Sequence, residues 1–202
     1  MWSPKNPKLY KINIKSSSDS ISDYIGFRTI ETSGFEILLN GKPIFLKGIS
    51  IHEEAPFKTG RVTSEEECEV LLNWAKDLGC NYVRLAHYPH SETMVRLADR
   101  MGLLVWSEIP VYWTVLFENP DTYKNAETQL TEMIARDKNR ASIILWGIAN
   151  ETPEGDSRLN FLSRLAKRVK LLDKTRLVTA ASNTHNSGNK VKLIEDKLGD
   201  YV

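Results

Sequence analysis

The side chains of this chain that could do chemistry collect at the ends of apolar runs. Ile143 to Ala149 is apolar almost throughout, as a strand buried on both faces requires, and it finishes in Asn150 and Glu151. His52 with Glu53, His87 with Tyr88, Glu108, and Ser182 with Asn183 close other such runs in the same way. A carboxyl group at the end of a core strand can pass a proton to or from a bound molecule. Glu108 is a carboxylate that could stand near Glu151, so the residues alone leave open a pair that divides the acid and nucleophile roles. Arg84 lies inside a strand, where an unpaired guanidinium is costly, so it should pair with a carboxylate on a neighbouring strand end. His52, His87 and His90 raise the question of a metal. Pro89 breaks the helical spacing that a His-x-x-His ligand pair exploits, so no metal is expected, and His90 is assigned to capping the next helix or to solvent.

The elements that must hold these residues alternate. From Ile44 onward an apolar run, "IFLKGISIHE", is followed by "TSEEECEVLLNWAKDLG", which opens with a Thr/Ser cap and an acidic first turn and stops at Gly79. "NYVRLAHYP" and "LLVWSEIP" are the next strands, with the helix "SETMVRLADRMG" between them. A loop rich in aromatics leads to a helix from about Tyr123 to Asn139, then the strand "IILWGIANE", the helix "SRLNFLSRLAKRVKLLD" and a fifth strand, "RLVTAAS". "KVKLIEDKLG" reads as a short helix and "DYV" as the start of a sixth strand. Continuous apolar strands alternating with helices mean a parallel sheet, either doubly wound or closed into a (β/α)8 barrel. No Gly-rich phosphate loop follows any strand, which leaves the dinucleotide fold without support, whereas the polar strand ends would all meet at one face of a barrel.

The first thirty-odd residues differ. "LYKINIK" alternates, "SSSDSISD" is a polar connection and "YIGFRTIE" returns as a second strand, so residues 1–33 read as the last strands of a β-sandwich. In "FEILLNGKPIFLKG", Asn40-Gly41 separates two apolar runs and predicts a hairpin turn with positive φ at both residues. Residues 34–202 hold five complete strands of the barrel, which needs about 250 residues, so the expected fold is an incomplete (β/α)8 barrel and the chain a fragment of a longer parent.

Composition bounds the rest. With 41% hydrophobic and 26% charged residues the chain is globular, and 27 basic against 26 acidic residues leave no field to recruit nucleic acid or an anionic membrane. No apolar stretch reaches the length of a membrane span. Cys68 and Cys80 read as reduced thiols and leave localisation open.

"WSPKNPKLY", "GFR", "LNGKPIFLKG", "HEE", "VRLAHYP", "GLLVWSEIP" and "ILWGIANE", in this order, resemble glycoside hydrolase family 2, the β-galactosidases, β-glucuronidases and β-mannosidases. The resemblance implies sandwich domains ahead of a (β/α)8 catalytic barrel, and a retaining exo-β-glycosidase acting on a carbohydrate substrate. It implies Glu151 as general acid and then base, with a carboxyl raised by apolar walls, and Asn150 as a contact of the sugar 2-hydroxyl. It implies that His87 and His52 touch the sugar and that Arg84 braces the centre. Glu108 becomes its partner or a sugar-binding residue, because the family's nucleophile lies on a seventh strand. Tyr112 and Trp113 are either a platform for the sugar face or ordinary loop packing. The magnesium-dependent members carry Glu and His where this chain has Val111 to Thr114, so neither a metal nor another cofactor is expected. A β-galactosidase is placed first, with β-glucuronidase or β-mannosidase, or a non-catalytic carbohydrate-binding barrel, as alternatives. The parent is expected to be a homo-oligomer, and the fragment alone to be inactive for want of its nucleophile.

Overall fold

The computed structural model describes residues 1–182. The expected helix "KVKLIEDKLG", the strand "DYV" and Asn183 lie outside them. The chain opens on an antiparallel ribbon of β1 (Tyr10–Lys15) and β2 (Ser20–Ile25), with Tyr10 opposite Ile25 and Ile14 opposite Ile21. "YIGFRTIE" is not one strand. It breaks after Ile25, because a side chain at Gly26 would sit 2.7 Å from the Ala141 Cβ and 2.9 Å from Trp2, and the backbone there is committed to Trp2, whose N–H donates to the Phe27 carbonyl at 2.7 Å. Only after this crossing does β3 (Ile30–Ser33) begin, pairing with β4 (Glu36–Leu39), which pairs with β5 (Lys42–Pro43). Asn40 and Gly41 turn between the last two with φ of 54° and 74°, the positive pair a type I′ turn demands.

The parallel sheet starts at β6 (Gly48–Ile51), later than the apolar run suggests, because Ile44 still donates to the Ile37 carbonyl of the preceding hairpin. Its other strands are β7 (Tyr82–Leu85), β8 (Leu104–Glu108), β9 (Ile143–Asn150) and β10 (Leu177–Ala181). They lie in the order β10-β9-β8-β7-β6, all parallel, with helices α1 (Glu65–Asp77), α2 (Glu92–Met101), α3 (Pro120–Asp137) and α4 (Asp156–Leu172) as the crossovers. This is a (β/α) barrel in part, with five strands among the described residues. Ser64 and Ser91 cap α1 and α2, and Gly102 closes α2 in the left-handed region. Helix α3 begins earlier than the expected Tyr123. Asn119 caps it by accepting from Asp121 and Thr122, and Pro120 fills the first helical position, where a missing N–H costs nothing.

The main core lies between sheet and helices, with Leu72, Val83, Met94, Ile134, Trp146, Phe161 and Leu165 all essentially sealed from solvent. A second core closes the N-terminal end of the sheet. There Trp2, fully buried, packs with Ile30, Leu39, Leu104, Ala141 and Ile144, and its indole donates to the Asp99 carbonyl at 2.8 Å. No helix among the described residues is long and apolar enough to cross a membrane.

Candidate active site

All eight residues of β9 are buried, and the strand delivers Asn150 and Glu151 to the C-terminal end of the sheet with opposite fates. Asn150 is 5% exposed, and its side-chain oxygen accepts from Arg84 Nη2 at 2.6 Å. Glu151 is exposed. Its backbone turns into the left-handed region at φ 49°, and its N–H donates to Ala181 of β10 at 2.9 Å. Its carboxylate accepts from Trp113, whose indole N–H donates to Oε2 at 3.4 Å. The described residues do not enclose it in the expected apolar walls.

Glu108, at the end of β8, is the hub. Arg84 grips it twice, Nε to Oε2 at 3.0 Å and Nη2 to Oε1 at 2.8 Å, and His87 Nδ1 lies 2.7 Å from Oε1. The carboxylate is 1% exposed, and such two-point contacts fix direction as well as charge. Arg84 also lies with its guanidinium 4.3 Å from the centre of the Trp106 ring, its cross-strand neighbour in the β7–β8 register. Gly147 is what leaves room for this stack. It pairs with Glu108 across β8 and β9, and a Cβ there would come within 2.1 Å of the Trp106 indole nitrogen and 2.5 Å of the Glu108 Cβ.

Around the hub stands a rim of rings. His52 meets His87 edge to face at 5.3 Å, His87 lies 6.1 Å from Tyr112, and Tyr112 meets Trp113 edge to face at 5.6 Å. Tyr112 reaches this place because it bridges to Asn150 as a short parallel extension of the sheet, while Trp113 takes a positive φ of 52° beyond it. The structure therefore brings Arg84, His87, Glu108 and Asn150 into one bonded cluster. His52, Tyr112, Trp113 and Glu151 stand along its edge.

His90 neither caps a helix nor faces solvent. It is fully buried, one ring nitrogen lies 3.0 Å from the Ala86 carbonyl, and Ser91 takes the capping role. Burial pulls its imidazole down to about 4, against the Ala86 contact and the Glu53 charge, which favour the proton. Glu53, 2% exposed, holds the start of α2 instead, accepting from the Ser91 N–H at 2.6 Å and pairing with Arg61. Burial works against its charge, but Ser91 and Arg61 outweigh it and keep the carboxyl below its ordinary value. Trp106, Gly147 and the structural task of Glu53 escape a reading of the sequence. Only the strand register would reveal the first two, and a strand-end Glu carries no mark that separates a capping role from a catalytic one. Among the described residues no three His, Cys, Asp or Glu side chains are grouped to hold a metal.

The family profile described as "Glycosyl hydrolases family 2, TIM barrel domain" matches residues 30–199. The chain belongs to that family. A β-glucuronidase of Streptococcus agalactiae is 34% identical over 196 residues, covering 86% of this chain and 32% of that protein. A β-galactosidase of Thermoanaerobacterium thermosulfurigenes is 35% identical over 177 residues, covering 84% and 24%. In crystal structures, the family 2 β-galacturonidase of Eisenbergiella tayi bound to galacturonate superposes with a TM-score of 0.84 at 35% identity, over 90% of this chain and 33% of that one. The chain thus spans a third or less of the length of these relatives. Their names divide among glucuronidase, galactosidase and galacturonidase, so placing a galactosidase ahead of a glucuronidase has no support.

Proposed function

We propose that the protein containing this family 2 barrel is a retaining exo-β-glycosidase in which Glu151 is the general acid and base. The observation that carries this reading is the split between two strand-end carboxylates. Glu108 has both oxygens engaged by Arg84 and His87 and is 1% exposed, so it has no free face with which to attack an anomeric carbon. Glu151 is open to a ligand at the end of β9, one residue beyond the buried Asn150. In the first step Glu151 gives its proton to the glycosidic oxygen as that bond breaks, while a second carboxylate, about 5 to 5.5 Å away, bonds to the anomeric carbon. In the second step the ionised Glu151 takes a proton from the water that displaces this carboxylate. The second carboxylate is not among the strand-end residues described here.

Glu108, held by Arg84, in turn fixes Asn150 through the same guanidinium, which points its amide toward a sugar hydroxyl. His52, His87, Tyr112 and Trp113 form the wall against which the sugar ring packs. A bound sugar excludes water from the space in front of Glu151. The sugar is a terminal β-linked hexose or hexuronic acid, as in the relatives.

The test is Glu151→Gln in the complete protein. It is assayed on nitrophenyl β-glucuronide, β-galactoside, β-galacturonide and β-mannoside, and on an unactivated disaccharide of the sugar preferred. The variant loses about a hundred- to ten-thousandfold in rate on the disaccharide, the range expected for one acid–base group. It loses less on nitrophenyl substrates in the step that expels the leaving group, and azide restores part of the turnover. An undiminished rate on the disaccharide removes Glu151 from the mechanism, and no turnover of any substrate by the wild-type protein favours a binding barrel.

A further inference from the structure

The N-terminal end of the sheet, opposite the face with Glu151, holds a cavity of about 230 Å³ whose charge is of one sign. It is lined by Arg28, Lys138, Arg140 and Arg176, together with the uncharged stretch Ile25–Phe27 and Asn139, Ala141 and Thr175. No acidic residue among the described residues lines it. Two of the four cations have their counter-ions elsewhere: Arg176 is paired with Asp173 at 2.7 Å, and Arg140 with Asp23 and, at 3.6 Å, Asp99. The other two, Arg28 and Lys138, make no ion pair among the described residues.

Arg28 is held in place by backbone alone. Its Nε donates to Ala141 at 3.1 Å and its Nη1 to Thr175 at 3.3 Å, and Nη2 donates to the Ile143 carbonyl. A guanidinium has five N–H groups, so two remain for a ligand. Burial, and then the neighbouring Arg176 charge, pull its proton affinity down more than the Asp173 and Asp99 charges raise it, so an added negative charge is favourable there. Arg140 is 3% exposed, and its Nε is a buried donor without a partner. Arg28 is thus a partly buried cation without an ion pair, Lys138 stands exposed at the rim beside it, and an anion between them offsets the cost of the buried guanidinium.

From this geometry we infer that the cavity is a binding site for a small tetrahedral oxyanion, inorganic phosphate or sulfate, held between Arg28 and Lys138. The volume exceeds what one such ion needs. Planar guanidinium groups with an ammonium beside them give directed contacts to the oxyanion. The site lies where residues 25–28 cross the start of β9 and β10, so an ion bound there ties the N-terminal segment to the barrel. It does not depend on the catalytic reading above.

The experiment follows the melting temperature and binding heat of the complete protein with phosphate, sulfate and chloride at matched ionic strength. Phosphate and sulfate should give a saturable rise that chloride does not. Lys138→Ala removes an exposed side chain with no ion pair, and should weaken phosphate binding about tenfold, the loss expected for one charge-assisted contact. Asn139→Glu puts a carboxylate into the cavity rim, and should abolish the phosphate response while leaving the protein at least as stable in low salt. Equal responses to phosphate and chloride in the wild type, or a phosphate affinity unchanged in both variants, overturns the proposal. A methylumbelliferyl phosphate arm separates the free ion from a phosphate ester: a match to inorganic phosphate means the cavity accepts esters, and failure to bind confines it to the free ion.

Discussion

Arg84 shows how much one side chain can be asked to do. It holds Glu108 at two points, positions Asn150 and covers the Trp106 ring, all from the middle of a strand. Removing it leaves Glu108 buried, with His87 as its remaining side-chain hydrogen-bond partner among the described residues. Arg84→Ala should therefore cost about 3 to 5 kcal/mol in a thermal or denaturant melt, the range for truncating one partner of a buried pair. Activity should fall with it. A variant as stable as the wild type would mean that Glu108 finds another partner. His90 makes a pH prediction. Its folded value of about 4 lies below the ordinary 6.5, so the unfolded chain binds the extra proton first on acidification. The stability His90 contributes is complete above pH 6.5 and is lost as pH falls toward about 4. His90→Gln, which keeps a donor for the Ala86 carbonyl, should flatten the fall in melting temperature between pH 7 and 5, and an unaltered slope would assign that fall to other groups.

Strand β9 sets the terms for its neighbours. It is bonded on both sides and buried along its whole length, so it cannot shift to accommodate an added atom. Gly147→Ala would drive a methyl group into the Trp106 indole and the Glu108 stem. A loss of about 1 to 3 kcal/mol is expected for such overpacking. Displacement of Glu108 should lower kcat beyond what the melt explains, and an Ala variant with full activity would show that the stack has slack. The strand ends themselves were legible from sequence, because an apolar run stopping at a polar residue is a local pattern. The pairing of Arg84 was legible too, since a charge inside a strand must find its opposite. The break in "YIGFRTIE" was not, because Trp2 and Ala141 impose it from distant parts of the chain. His90 misled for a different reason: Tyr88, two residues earlier, stacks on it at 5.2 Å, a contact that depends on how the chain turns through Pro89. The start of α3 was visible in Asn119-Pro120, but the aromatic run before it drew the boundary toward Tyr123.

Across the whole molecule, the ribbon β1–β2 is joined to the barrel chiefly by charge. Asp23 on β2 pairs with Arg96 of α2 and with Arg140 ahead of β9, and Arg140 also donates to the Tyr24 carbonyl at 3.2 Å. Burial disfavours the Asp23 charge, yet the two arginines outweigh it and hold the carboxyl below its ordinary value. Asp23→Asn should cost about 1 to 2 kcal/mol, less than a sealed pair because Asp23 is partly open to solvent. Ribbon amides should then exchange faster with solvent while those of β9 keep their protection. Equal protection in both proteins would mean that Trp2 and Arg28 suffice to hold the segment.

The backbone at Glu151 sets two demands on one residue against each other. A φ of 49° belongs to the region that L side chains occupy at a cost of about 1 to 2 kcal/mol and that glycine enters freely. Mutation there with selection for stability alone would drift toward glycine, and would discard the exposed carboxylate that directly follows β9. If Glu151 is the acid proposed above, a glutamate in that conformation is a conformational debt carried by the fold, and thermal hardiness and catalytic competence pull this position in opposite directions.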